Sequence, residues 1–192
     1  MSDRIASQVA FLEEIDRLKT VLRASHLHDG SRRENSAEHS WHVALFALVL
    51  AEHASDEVDP LRVLKMLLLH DIVEIDAGDM PIHGGGDPAK KARLEKAAAD
   101  RIFALLPADQ AADFRALWDE YEDGDTADAR FARAMDRFQP PLSNLANGGG
   151  TWAEYNVTYP QMEARVAPAI RKGTPALWAW LGPQLERYFG AA

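Results

Sequence analysis

The segment from Pro60 to Asp79, PLRVLKMLLLHDIVEIDAGD, admits few placements in a folded protein. Leu61, Val63, Leu64, Met66, Leu67, Leu68 and Leu69 make it apolar on nearly every side, and Ile72, Val73 and Ile75 continue the pattern. A helix apolar all round belongs in a core. Yet His70, Asp71, Glu74, Asp76 and Asp79 are threaded through its second half. Charged side chains are almost never fully buried without partners. Either the helix end emerges into solvent, or these polar groups converge on something that they bind.

The rest of the chain reads as helices punctuated by caps. Ile5, Val9, Leu12, Ile15, Leu18 and Leu22 recur every three or four residues, which predicts an amphipathic N-terminal helix. Asn35 and Glu38 have the spacing of a capping box and open a helix through Val43, Phe46, Ala47, Leu50 and Ala51. Asp59-Pro60, Asp87-Pro88 and Thr174-Pro175 each place a capping side chain before a proline at the first helical position. The DMPIHGGGD run from Asp79 to Asp87 is a loop, given its proline and three glycines. Helical patterns resume at about 88–106, 109–122, 126–146 and after Tyr159, with a break at NGGGTW. No stretch alternates long enough to predict a strand, and no internal repeat is visible. The expectation is an all-α bundle in a single domain spanning 1–192, with a core at about 36–146 and the terminal helices packed on it.

Composition narrows the function. A chain of 192 residues, 47% hydrophobic and 27% charged, has the make-up of an ordinary globular domain large enough to bury a good core. No apolar run reaches the roughly 18 residues of a spanning helix, so no membrane association is expected. The charged, amphipathic N-terminus is unlike a signal peptide. Zero cysteines remove disulfides, thiolate metal sites and cysteine nucleophiles together, and a cytoplasmic protein is the simplest reading. The net charge of −9 argues against a nucleic acid polymer as partner, because such a footprint needs a basic face. Small phosphorylated ligands stay open, since a metal ion can supply positive charge locally.

Histidine and aspartate are good ligands for first-row divalent ions. On one helix Glu74 stands four residues from His70 and three from Asp71, so all three can share a side. Gly78 can then turn Asp79 back over them. His39 offers a second imidazole in the first turn of its own helix, with His42 three residues on as a packing residue. Asp136 lies in RFARAMDRFQPPL beside a stripe of Phe131, Met135, Phe138, Leu142 and Leu145, where Ala129 and Ala132 leave room for a ligand or a helix. Its rival reading is a salt bridge to Arg133 or Arg137. Asp76 is assigned to solvent. His83, beside three glycines, is the remaining histidine placed to close over a ligand. The tryptophans Trp41, Trp118, Trp152, Trp178 and Trp180 suit core or interface, and Trp178 and Trp180 cannot share one helix face.

The order of these parts is itself a pattern: a histidine, a His-Asp pair about thirty residues later, and a lone aspartate much further on. Together LKTVLR, RENSAEHSWHVALFALVLA, LLLHDIVEIDAGDMP, RAMDRF and the late TWAEYN segment resemble the HD superfamily of metal-dependent phosphohydrolases. Within it they are most similar to the bacterial 5′-deoxyribonucleotidases and related HD-domain proteins. That resemblance implies one divalent ion (Mn, Co, Fe, Ni, Zn or Mg) held by His39, His70, Asp71 and Asp136. It implies Arg23 as the residue that orients phosphate, Glu74 and Asp79 as active-site acids, and a nucleotide pocket lined by Arg23, Ala24, Asp71, Asp79, Ile82 and Asp136. It implies a homodimer as well. One departure stands out: the family has a tryptophan directly after its arginine, where this chain has Ala24.

The activity implied is hydrolysis of a phosphomonoester, foremost a (deoxy)nucleoside 5′-monophosphate. Two alternatives stand beside it. One is an HD phosphohydrolase acting on another phosphate ester or a cyclic nucleotide. The other is a metal- or nucleotide-binding module without turnover, against which Arg23, Glu74 and Asp79 argue, because a structural metal needs only its ligands.

Overall fold

The computed structural model describes residues 2–190. Capping side chains set many of the helix starts. Asn35 accepts from the Glu38 amide at 2.9 Å while Glu38 Oε2 accepts from the Asn35 amide at 3.2 Å, closing the box that opens α2 (Ser36–Leu50). Asp59 accepts from the Leu61 amide at 2.9 Å to start α3 (Pro60–Leu69), and Asp87 does the same for Ala89 at α5 (Pro88–Phe103). Thr126 caps the long α7 (Ala127–Ala146). The remaining helices are α1 (Ser2–Ile15), α4 (Glu74–Ala77), α6 (Ala108–Asp123), α8 (Thr151–Glu154), α9 (Tyr159–Arg165), α10 (Ala167–Gly173) and α11 (Pro175–Gly190). The all-α expectation holds.

Helix α7 is the axis: α2, α3, α6, α10 and α11 all pack on it. Phe131, Met135 and Phe138 of its stripe are buried against Val43, Met66, Leu67 and Leu181. Removing that much apolar surface from water contributes about 1.5–3 kcal/mol per large side chain. Gly173 is required where α10 crosses α7, because a Cβ there would meet the Arg130 carbonyl.

Three sequence expectations need correction. Two short strands exist, β1 (Leu22–His26) and β2 (Arg33–Asn35), paired antiparallel. At five and three residues they are too brief to show alternation. The apolar helix does not run on through Glu74: α3 ends at Leu69, and residues 70–73 form a turn before α4. The N-terminal stripe is also only partly internal. Helix α1 stops at Ile15 and buries Phe11, a 3₁₀ turn follows with Leu18 buried, and Ile5, Val9, Leu12 and Leu22 are left exposed.

Candidate metal centre

His39 faces the bundle interior from the first turn of α2, fully buried at 0% exposure. The tight turn after α3 presents His70 and Asp71, and α7 presents Asp136 across from both. One ligand atom each from His39, His70 and Asp136 lies within 4.8 Å of the others. His39 Nε2 is 2.9 Å from Asp136 Oδ1, and His70 Nε2 is 3.8 Å from that same oxygen. Asp71 Oδ1 sits 3.1 Å from His70 Nε2, at the edge of this group.

The chemistry of these atoms calls for a cation. His70 Nδ1 is 2.8 Å from the Leu67 carbonyl, which only accepts, so Nδ1 carries the proton. Its Nε2 is buried without a hydrogen-bond partner and faces two carboxylate oxygens. A lone pair against carboxylates is repulsive unless a positive charge lies between them. His39 shows the same demand. Burial and the Arg23 charge lower its pKa, but hydrogen bonding to Asp136 and Glu34 outweighs them and holds it up at about 9. Asp136 is held well below the usual carboxylate range: burial opposes its charge, and Arg137, His39 and His70 more than compensate. The donor set therefore fits a divalent ion, with imidazole and carboxylate ligands.

Around this group the other expected residues assemble. Arg23 reaches in from β1, and its Nη1 donates to Asp71 Oδ2 at 2.6 Å. Burial lowers its pKa, but the charges of Asp71, Glu74 and Asp79 outweigh burial and raise it, so the guanidinium stays cationic. Its Nε is buried without a hydrogen-bond partner, 4.0 Å from Glu34 Oε2. Glu74 is buried and accepts from Ser36 Oγ at 2.6 Å. Burial, then the Asp71 charge, push Glu74 up to about 8, with Arg23 pulling the other way. Gly78, at φ +73°, turns the chain after α4, and Asp79 Oδ2 accepts from the Ala24 amide at 3.2 Å. Arg23, Ala24, His70, Asp71, Glu74, Asp79, Ile82 and Asp136 all line one cavity of about 660 Å³, within the size range of small-molecule sites. His39 lies behind its wall, since it is not among the lining residues.

The salt-bridge reading of Asp136 is realised, because Arg137 Nη1 donates to its Oδ2 at 2.8 Å, while its Oδ1 faces His39 and His70. Asp76 is exposed, as expected, but it pairs with Arg101, which also holds Glu14 at 2.6 Å and so ties α4 and α5 to α1. Several residues of the centre escaped the sequence reading. Glu34 is buried, lies 3.5 Å from His39 Nδ1 and accepts from Gln139 and Ser25. Tyr121 donates to Asp136 Oδ2 at 3.1 Å, and the Trp118 indole donates to the His70 carbonyl at 3.2 Å. Gln139 also contacts His42 Nδ1 at 3.3 Å, which gives His42 its packing role. No local signal marks Glu34 beyond a charge set directly before a helix cap.

A helical bundle that presents two histidines and an aspartate from three separate segments, with a cationic arginine beside them, defines a candidate metal centre. A family model described as the HD domain matches residues 15–178, and the chain belongs to that family. Among solved structures it is similar to a predicted metal-dependent phosphohydrolase from Magnetospirillum magnetotacticum. The two are 50% identical with a TM-score of 0.90, covering 97% of this chain and 95% of that one. Human 5′-deoxynucleotidase HDDC2 is 30% identical over 132 residues, 68% of this chain and 63% of its own. The 5′-deoxynucleotidase yfbR of Photorhabdus temperata is 28% identical over 167 residues, 82% of this chain and 83% of its own. This chain thus spans just under two thirds of the human relative's length.

Proposed function

We propose that the protein is a metal-dependent phosphomonoesterase that hydrolyses (deoxy)nucleoside 5′-monophosphates. The observation that carries this is the convergence of a cation-demanding His39–His70–Asp136 group with a buried Arg23 in one cavity. The curated relatives named 5′-deoxynucleotidases support the substrate class. His39, His70, Asp71 and Asp136 would hold one divalent ion, with Asp71 completing the set from the edge. Its identity among Mn, Co, Fe, Ni, Zn and Mg is a matter for measurement. When bound, such an ion supplies positive charge for the phosphate and makes hydroxide available near neutral pH.

The chain's own residues do the rest. Arg23 holds the phosphate and stabilises charge on its equatorial oxygens. Glu74 carries the proton of the attacking water, which suits a carboxyl that titrates near neutrality with Ser36 fixing one oxygen. Asp79, fixed on one oxygen by the Ala24 amide, positions the substrate at the leaving 5′-oxygen. Ala24 and Ile82 line the nucleotide-side wall, where a small Ala24 side chain leaves space beside the sugar.

We further propose that residues 1–192 act as one domain in a cytoplasmic homodimer. One contiguous core reaches from Phe11 to Leu185, and no helix among the described residues is long and apolar enough to cross a membrane. An apolar groove between α2, α7 and α11 is flanked by Trp41 and Trp180, 60% and 56% exposed, and supports the dimer. The deciding experiment for the activity is phosphate release from a panel of nucleoside 5′-monophosphates, cyclic nucleotides and sugar phosphates, on protein of measured metal content. Turnover of monophosphates that chelation abolishes is expected. Turnover of cyclic nucleotides or sugar phosphates in their place moves the substrate class, and tight nucleotide binding without turnover overturns the enzyme reading.

A further inference from the structure

The loop between α4 and α5 carries Asp79, Ile82 and His83 along one wall of the cavity. Its own framework is slight: the Gly84 amide bonds the Pro81 carbonyl at 2.9 Å, and Gly84 to Gly86 contribute no side chains. Two hydrogen bonds tie it to elements across the cavity. One is the Ala24 amide on Asp79, from β1. The other is Arg165 Nη1 on the Ile82 carbonyl at 3.0 Å, from the last residue of α9. A single long side chain from the C-terminal helices thus fastens the loop at Ile82.

Charge gives Arg165 a second use. Asp71, Glu74, Asp79 and Asp136 all line this cavity, in a chain of net charge −9, so an arriving phosphate dianion meets repulsion. Arg165 also lines the cavity, with His83 and Arg137. Among the described residues neither Arg165 nor His83 forms an ion pair, whereas Arg137 is engaged by Asp136. The positive charge of Arg165 is therefore uncommitted, on an exposed side chain.

We propose that Arg165 is a positioning residue of this site: it straps the loop bearing Asp79 and Ile82 and supplies the unpaired positive charge on the cavity rim that admits a phosphate dianion. This rests on the proposed phosphomonoesterase activity for its kinetic readout but not for its structural one. Arg165→Ala and Arg165→Lys are compared with the unaltered chain, all metal-loaded. For Arg165→Ala we expect KM for a nucleoside monophosphate to rise about fivefold with kcat within about twofold, the loss of one hydrogen bond expressed in binding. Hydrogen exchange of residues 80–86 should accelerate by about fivefold, and the salt dependence of kcat/KM should flatten. Arg165→Lys, which keeps the charge, should restore the salt dependence. Unchanged KM and exchange in Arg165→Ala overturns the proposal, as does a lysine variant whose salt dependence matches the alanine one. If the unaltered chain turns over no nucleotide, the activity fails, and Arg165 is then judged by loop exchange and by inorganic phosphate affinity, which Arg165→Ala should weaken.

Discussion

At the residue scale the centre is defined by which nitrogen carries which proton. The Leu67 carbonyl commits His70 Nδ1 as donor and leaves Nε2 for a cation. His39 is arranged in the same way, with Nδ1 toward Glu34 and Nε2 toward Asp136. A carboxylate behind a ligating imidazole orients the ring and raises its basicity. Glu34→Gln is therefore expected to weaken metal affinity by about 10–100-fold with little change in helical content, as titration calorimetry and circular dichroism can check. Metal affinity equal to that of the unaltered chain would show that Glu34 does not orient His39. His39, His70, Asp71 and Asp136 were singled out by the order and spacing of motifs that resemble the HD superfamily, since with 7 histidines and 30 acidic residues in the chain side-chain type alone selects none of them. Glu34, Tyr121 and Gln139 were not, because their roles come from contacts with residues far along the chain.

At the element scale two local interruptions build the site. Ending α3 at Leu69 lets a turn with amide bonds such as Ile72 to Leu69 and Glu74 to Asp71 present both His70 and Asp71. On a continuous helix consecutive side chains point about 100° apart. The β1–β2 hairpin does the same for Arg23, and the Asn35 cap follows it directly, so one junction places Glu34, Ser36 and His39 together. Asn35→Ala should cost about 0.5–2 kcal/mol in denaturant unfolding. It should also lower turnover, since Ser36 and His39 lie in the first turn that Asn35 caps. Full activity at reduced stability would separate the cap from the site. The starts at Asn35, Asp59 and Asp87 were legible because caps are local chemistry, whereas Thr174 Oγ1 is buried without a hydrogen-bond partner and does not cap α11. The hairpin was not legible, because its pairing is made by tertiary neighbours rather than by alternation.

At the scale of the whole molecule, apolar side chains remain outside the core. Trp41, Leu45, Val49 and Trp180 border one groove, with Phe46, Phe138 and Leu142 also lining it. Exposed apolar patches of this kind mark interaction surfaces on soluble proteins. For the proposed homodimer, placing a charge there, as in Trp41→Glu, should shift sedimentation from dimer to monomer without weakening metal affinity, and a monomeric unaltered chain overturns the dimer. A variant that stays dimeric would move the interface elsewhere, with the outward Ile5, Val9 and Leu12 of α1 as the other apolar surface. Periodicity and caps read from the chain were enough for a helical fold and its main helices, since propensity and capping act over a few positions, and the candidate ligands came from the motif resemblance. Which apolar stripe turns inward, where α3 stops, and how His39, His70 and Asp136 come within 4.8 Å of one another depended on α7 and its neighbours packing together. Burial and charge pairing act through space, between segments up to about a hundred residues apart in sequence, as His39 and Asp136 are.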